Sequence, residues 1–317
     1  MSMAEWNVLV TAPRACSEFP RYRAALGAAG CQVTMRKTVE RLTEVELIPL
    51  VGEVDGIVCG DDRITATVMA AAPRLKVIAK WGTGIDGIDL EYAAAHGIAV
   101  RNTPDAFTEP VADTVLGYML MFARGLDSMA RDMRAGHWRR QPLKALRECT
   151  VGIIGFGNIG RAVARRCRAF GMRILVNDLR VIPDDALAAL GVTAVPIPAL
   201  MAQSDFVTLH ANLHAGNRHF IDAGLLRLMA AHAVLINTAR GPLIEEGALV
   251  EALASGQLGG AALDVFEDEP LPQGHPLRTM PNVYLAPHNS NASPAAAERV
   301  HVNTIENLIQ ALRASAS

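Results

Sequence analysis

Residues 152–160 read GIIGFGNIG and set Gly155, Gly157 and Gly160 in a G-x-G-x-x-G spacing. An apolar run, TVGIIG, leads into these glycines and a helical pattern over 161–170 follows them, and this context gives the spacing its weight. Gly155 permits a tight turn, Gly157 lets the backbone approach a pyrophosphate without a Cβ in the way, and Gly160 lets the next helix pack close to a sheet. The amides of Asn158 and Ile159 then open that helix, where unpaired N–H groups and the macrodipole favour an anion. The following apolar run, MRILVND, ends in Asp178, about twenty residues beyond the glycines, where a carboxylate accepts hydrogen bonds from a ribose diol and repels a 2′-phosphate. The expected ligand is a dinucleotide, NAD in preference to NADP. Arg180, two residues further on, weakens the preference because a guanidinium can accommodate that phosphate. A glycine turn with only structural work is the alternative, and strand, helix and acid together weigh against it.

Such a turn and such an acid have to sit at the ends of neighbouring strands, and the chain carries the pattern of that frame. Short apolar runs NVLVTAP, CQVTM, DGIVCG, LKVIAKWG and GIAVRN alternate with helix-like stretches at 18–29, 39–51, 65–72 and 90–96. This is the rhythm of a parallel sheet wrapped by helices. A longer helical region is expected over 111–134, more apolar than one domain covers, and the polar stretch GHWRRQPLKALREC then breaks the pattern. The rhythm restarts with TVGIIG and continues through MRILVND, FVTLHA, AVLINTA, AALDVF and VYLAPH, with helices at 161–170, 186–190 and 245–255. The expected fold class is therefore α/β with two doubly wound domains. A last helix over 295–314 needs a surface to pack on and is expected to return to the first domain, closing a cleft.

The 317 residues, half of them hydrophobic, suffice for two domains with sizeable cores. With 30 Lys and Arg against 32 Asp and Glu the net charge is −2, so no basic field exists to hold nucleic acid or an anionic membrane. The N-terminal MSMAEWNVLVTAPR lacks a basic start followed by a long apolar stretch, and the most apolar helix-like segment, 111–123, carries Asp113 and is too short to span a bilayer. A cytoplasmic location is expected. Cys16, Cys31, Cys59, Cys149 and Cys167 are scattered, odd in number and without a CxxC pair, so they are read as reduced, ordinary residues. No HExxH and no close Cys/His cluster occurs, and no metal is expected.

Five blocks stand in order between roughly residues 75 and 290: KVIAKWGTGIDGIDLEYAAAHGIAVRNTP, VGIIGFGNIGRAVARRCRAFGM, INTARGPLIEEGALVEAL, GGAALDVFEDEP and NVYLAPH. In these the chain resembles the D-isomer-specific 2-hydroxyacid dehydrogenases, the group of D-3-phosphoglycerate dehydrogenases, D-lactate dehydrogenases and glyoxylate/hydroxypyruvate reductases. The resemblance implies hydride transfer between NAD(H) and a small anionic 2-hydroxy acid/2-keto acid pair. It implies a Rossmann NAD-binding domain over 103–289, a flavodoxin-like substrate domain over 1–102 plus 290–317, and a homodimer.

The resemblance further implies a catalytic Arg240 in NTARG, Glu269 in DVFEDEP and His288 in APH. Physical chemistry supports those roles. Reduction of a keto carbon builds negative charge on its oxygen, so a donor that changes charge near neutral pH is needed, and histidine suits. A carboxylate on the far imidazole nitrogen fixes the ring and stabilises the imidazolium. A guanidinium gives a planar, permanent cation for the substrate carboxylate and the polarised carbonyl. The bland alternatives are an acidic solvated loop of Asp264, Glu267, Asp268 and Glu269, a loop histidine at 288, and an Arg240 paired with Glu245 or Glu246.

Carried over by position are cofactor contacts at Thr238 and Ala239 beside the nicotinamide ribose, at Asp264 near the nicotinamide amide, and at His210 and Ala211 on the adenine and ribose side. In the first domain the resemblance implies a turn at Gly82, Thr83 and Gly84 whose amides are expected to hold the substrate carboxylate, flanked by Lys80 and Trp81 as expected substrate contacts. The chain departs from the family at Asn212, Leu213 and His214, where proline, leucine and threonine are usual, at Phe107, and in the polar Asn289, Ser290 and Asn291 after His288. These leave the reaction type intact and the substrate open. Formate or phosphite oxidation on the same scaffold, or an NAD-sensing corepressor-like scaffold, are the competing readings.

Overall fold

A computed structural model describes residues 6–315, the side chain of Phe19 excepted. Residues 1–5 of the N-terminal stretch and 316–317 of the expected substrate domain lie outside the described residues. The chain divides into two compact units, Met1–Ala106 with Ser293–Ser317, and Phe107–Ala292. Both divisions fall three to four residues after the expected breaks.

The first unit holds β1 (Trp6–Val10), β2 (Cys31–Met35), β3 (Gly56–Cys59), β4 (Val77–Lys80) and β5 (Ala99–Arg101), all pairs parallel, in the order β2-β1-β3-β4-β5. Every residue of β3 and β4 is buried, which is why these strands read as unbroken apolar runs. The terminal helix Pro294–Ala314 belongs to this unit and packs on β3, β4, β5 and the helix Pro13–Ala28. Ser293 caps it by accepting the Ala296 N–H, and Val300, Thr304, Leu308 and Leu312 recur every four residues as its buried stripe. Gly56 leaves the room: a Cβ there would lie 2.9 Å from a Leu308 methyl.

The second unit holds β6 (Thr150–Ile154), β7 (Arg173–Asn177), β8 (Thr193–Ala194), β9 (Phe206–Leu209), β10 (Val234–Asn237), β11 (Gly260–Leu263) and β12 (Val283–Leu285). Their order is β12-β11-β10-β9-β6-β7-β8, again wholly parallel. Two doubly wound α/β sheets are thus present, and in the second the strand order reverses between β6 and β9.

Several elements differ from expectation for identifiable reasons. The first helix begins at Pro13 rather than 18, because proline is pre-set for the first helical turn. Of 39–51 only Glu44–Leu47 and a 3-10 turn Ile48–Leu50 are helical, starting where Thr43 and Glu46 form a capping box. The region 111–134 is two helices, Thr108–Ala123 and Leu126–Arg134, parted at Gly125 with φ +53°. The first buries Val111, Ala112, Val115 and Met119 and packs on the helix Asn158–Ala169, tied to it by Arg166 to Asp113 at 2.7 Å, while Leu116, Leu120 and Met121 stay partly exposed. Among the described residues no helix is long and apolar enough to cross a membrane.

Candidate active site and cofactor loop

In the second unit each expected site residue follows the carboxyl end of a strand: 155–160 follow β6, Asp178 follows β7, His210 and Ala211 follow β9, 238–240 follow β10, 264–269 follow β11 and His288 follows β12. In doubly wound sheets ligands bind along that edge, at the point where strand order reverses. There Gly155 takes φ +91°, and a Cβ on it would lie 2.6 Å from the His210 carbonyl carbon and 2.7 Å from the Ala211 nitrogen. A Cβ on Gly160 would lie 2.2 Å from the Gly155 oxygen, so helix and turn close only with glycine. Gly157 faces the other way, with nothing within 4 Å of its Cβ position. Arg161 N–H makes the first bond of the helix, to the Gly157 oxygen, which leaves the amides of Asn158 and Ile159 at its open end.

Asp178 stands at this turn. Its Oδ2 accepts the Phe156 N–H at 2.7 Å, and its Oδ1 accepts the Arg180 N–H at 2.9 Å and the Arg180 Nε–H at 3.3 Å. Burial works to raise its pKa, but those amide and guanidinium bonds outweigh it and hold the carboxyl below its ordinary value. His210 is set aside from acid–base work: burial pushes its pKa down to about 3, and its Nε2 meets Thr208 Oγ1 at 3.0 Å. The open Gly157, the Asn158 and Ile159 amides, which donate to no acceptor among the described residues, and the fixed carboxylate fit a dinucleotide. The carboxylate should give a kcat/KM about tenfold or more higher with NADH than NADPH, and Asp178→Asn should shrink that ratio. A wild-type ratio favouring NADPH would refute the assignment.

After β10 the fully buried Asn237 shapes the turn that presents Arg240. Its Oδ1 accepts the Ala239 N–H at 3.0 Å and its Nδ2 donates to the Arg240 carbonyl at 2.8 Å. Thr238 is buried beside them, its Oγ1 without a partner among the described residues. A Cβ on Gly241 would fall 1.9 Å from the Phe266 carbonyl carbon, so the Arg240 turn lies directly against the loop that carries Glu269.

Glu269 Oε1 accepts the Phe266 N–H at 3.0 Å, and its Oε2 meets His288 Nδ1 at 3.1 Å; the two side chains keep only 10% and 17% of their surface. A donor N–H on Nδ1 toward the carboxylate puts Nε2 on the far side of the ring from Glu269. His288 itself sits at φ +48°, a left-handed conformation unusual for a residue with a side chain. Asp264 holds it there. This wholly buried carboxylate accepts the Asn289 N–H at 2.7 Å and the Ser290 N–H at 2.9 Å, and its backbone oxygen accepts the His288 N–H at 2.8 Å. Asp264, expected as a cofactor contact, therefore has both oxygens in the service of the His288 loop. Glu246 is taken by His275 Nε2 at 3.0 Å and by the Glu267 N–H at 3.3 Å, bracing the Glu269 loop from behind. Of the acidic residues in that loop only Asp268 is exposed. Sequence reasoning missed Asn237 and His275, and weighed Glu246 only as a partner of Arg240; all three act through hydrogen bonds to backbone or to each other.

In the first unit Lys80 is 5% exposed and its Nζ donates to the Gly60 oxygen and to Asp61, both at 2.7 Å, so its ammonium is engaged in fixing loop 60–61. Trp81 is likewise packed inside, its Nε1–H bonded to His301 Nδ1. In the turn itself Gly82 is buried with φ +129°, Thr83 is exposed and Gly84 half-buried, and the amides of Gly82, Thr83 and Gly84 donate to no acceptor among the described residues.

The family described as D-isomer specific 2-hydroxyacid dehydrogenase, NAD binding domain, matches residues 116–290. The chain belongs to this family. It is 42% identical over 254 residues to a glyoxylate reductase of Korarchaeum cryptofilum, covering 78% of this chain and 76% of that one. A D-3-phosphoglycerate dehydrogenase of Methanocaldococcus jannaschii is 38% identical over 86% of this chain, which spans 52% of that longer protein. The D-lactate dehydrogenase of Aquifex aeolicus, solved with NAD and lactic acid, superposes with a TM-score of 0.84 at 28% identity over 95% of this chain and 94% of its own. The protein is an NAD-linked 2-hydroxyacid dehydrogenase, interconverting 2-hydroxy and 2-keto acids.

Proposed function

We propose that this dehydrogenase reduces a small 2-keto acid, with glyoxylate the first to test, and that Arg240, Glu269 and His288 are its catalytic group. The observation that carries the proposal is the His288–Glu269 pair, largely shielded and 3.1 Å apart, on loops after adjacent parallel strands. When bound, the nicotinamide supplies the hydride. His288 Nε2 gives its proton to the substrate oxygen, Glu269 holds the charged ring through Nδ1, and Arg240 binds the carboxylate and the polarised carbonyl. The amides of Gly82, Thr83 and Gly84 are assigned to the substrate carboxylate, which makes the first unit the substrate domain and the second the cofactor domain. The cofactor is held by the 155–160 turn, Asp178, the His210–Ala211 wall, Thr238 and Ala239. A panel of 2-keto acids, with formate and phosphite added for the oxidative direction, followed by NADH absorbance tests the reading; turnover of formate or phosphite but of no keto acid would replace it.

We also propose a cytoplasmic homodimer. All five cysteines are unpaired and buried, in keeping with a reducing compartment. The helix Leu126–Arg134 buries none of its residues, and it and the following segment expose Leu126, Met133 and Trp138, the last by 79%. That apolar surface suits a second copy of the chain. Sedimentation at micromolar concentration should give twice the chain mass, falling toward one in Trp138→Glu.

A further inference from the structure

The loop 82–84 can hold an anion only if its amides keep one direction, and the indole immediately before it is where the chain is gripped. Trp81 is 8% exposed, donates Nε1–H to His301 Nδ1 at 3.0 Å, and has the Arg14 guanidinium 5.6 Å from its ring centre. His301, itself 4% exposed, stacks on Tyr22 with ring centres 5.4 Å apart. Burial lowers its pKa from the ordinary value, which keeps the ring neutral and Nδ1 free to accept. Six residues along the same helix Asn307 Nδ2 donates to the Asn102 oxygen at 3.1 Å, Asn102 Nδ2 donates to the Thr83 oxygen at 2.6 Å, and Thr103 N–H donates to the Gly82 oxygen at 2.9 Å. The terminal helix therefore holds the loop at Trp81 on one side and through residues 102–103 on the other.

We propose that His301 is a positioning residue for substrate binding, acting through Trp81 to set the direction of the Gly82–Gly84 amides. This rests on the assignment of that loop to the substrate carboxylate. His301→Leu removes the acceptor that Nδ1 offers the buried indole N–H, whereas His301→Asn returns an oxygen near the place of Nδ1. The expected result for His301→Leu is a rise of about tenfold in the keto-acid KM, with kcat and the NADH KM within about twofold of wild type, and recovery of most of that loss in His301→Asn. A packing role alone would lower the thermal midpoint and leave the keto-acid KM unmoved, and that result overturns the proposal.

Thr83→Glu, beside the amides, separates the two assignments by charge repulsion, with Thr83→Val as the control for the Thr83 hydroxyl's bond to the Thr103 oxygen at 3.0 Å. If it raises the keto-acid KM and His301→Leu does not, the loop assignment stands and the role of His301 is lost. If it leaves KM unchanged, the loop assignment fails and the proposal falls with it.

Discussion

His288→Ala should lower kcat for keto-acid reduction by about 10²–10⁴, the usual contribution of a general acid, with a much smaller change in keto-acid KM. Single-turnover measurement is the right check, since product release masks a slower chemical step in the steady state. A loss within about tenfold would remove His288 from the mechanism. The partner variant fixes the sign of the pH effect. On the proposed mechanism reduction needs the imidazolium, so its rate should fall as pH rises; Glu269→Gln takes away the anion 3.1 Å from Nδ1 and makes the charged ring less favourable. The alkaline limb for reduction should then move to lower pH. Oxidation of the hydroxy acid needs the neutral ring, and its acidic limb should move in the same direction. Limbs that stay in place would show that Glu269 orients the loop through Phe266 without acting on the histidine's charge.

Asp264→Ala should unfold the second unit at a markedly lower temperature and abolish most turnover. It removes two charge-assisted hydrogen bonds from a wholly buried site, worth about 1.5–3 kcal/mol each. About 3–6 kcal/mol, at roughly 2–4 °C per kcal/mol for a unit of this size, is a fall of roughly 6–24 °C in Tm. The φ +48° backbone at His288 relaxes once the amides after it are released, so the remaining folded protein carries a misplaced proton donor. Asp264→Asn keeps the size and one acceptor and should fall between the two. A Tm within about 2 °C of wild type in Asp264→Ala would mean that the amides are satisfied elsewhere.

How much of this was legible in the sequence follows from the range of the interactions involved. The central strands were, because both faces of each are covered and Val, Ile and Leu run on without a break. β8 was not: two exposed residues leave no apolar run. The helix Ile197–Gln203 was missed although its partner was visible as Gly152, where a Cβ would lie 2.3 Å from Leu200, since a glycine in a strand does not say what approaches it. Gly125 was read through as helix because composition favours one on either side, and only the left-handed φ reveals the break. The glycine turn and Asp178 were legible because their partners lie close in sequence and follow a fixed pattern. Asp264 and Lys80 were legible as charges but not the bonds they make inside the protein, because the amides and carbonyl involved lie 25 and 20 residues away.

The first unit is made from both ends of the chain. During synthesis from the N-terminus, β1 to β5 emerge first, yet the face of β3 and β4 that Val300, Thr304, Leu308 and Leu312 cover stays open until the helix Pro294–Ala314 has been made. The intervening Phe107–Ala292 is continuous and can close its own core beforehand. Birth order and completion order are thus reversed: the unit begun first is finished last, and a ribosome stalled before residue 294 would display an apolar sheet face for chaperones to find.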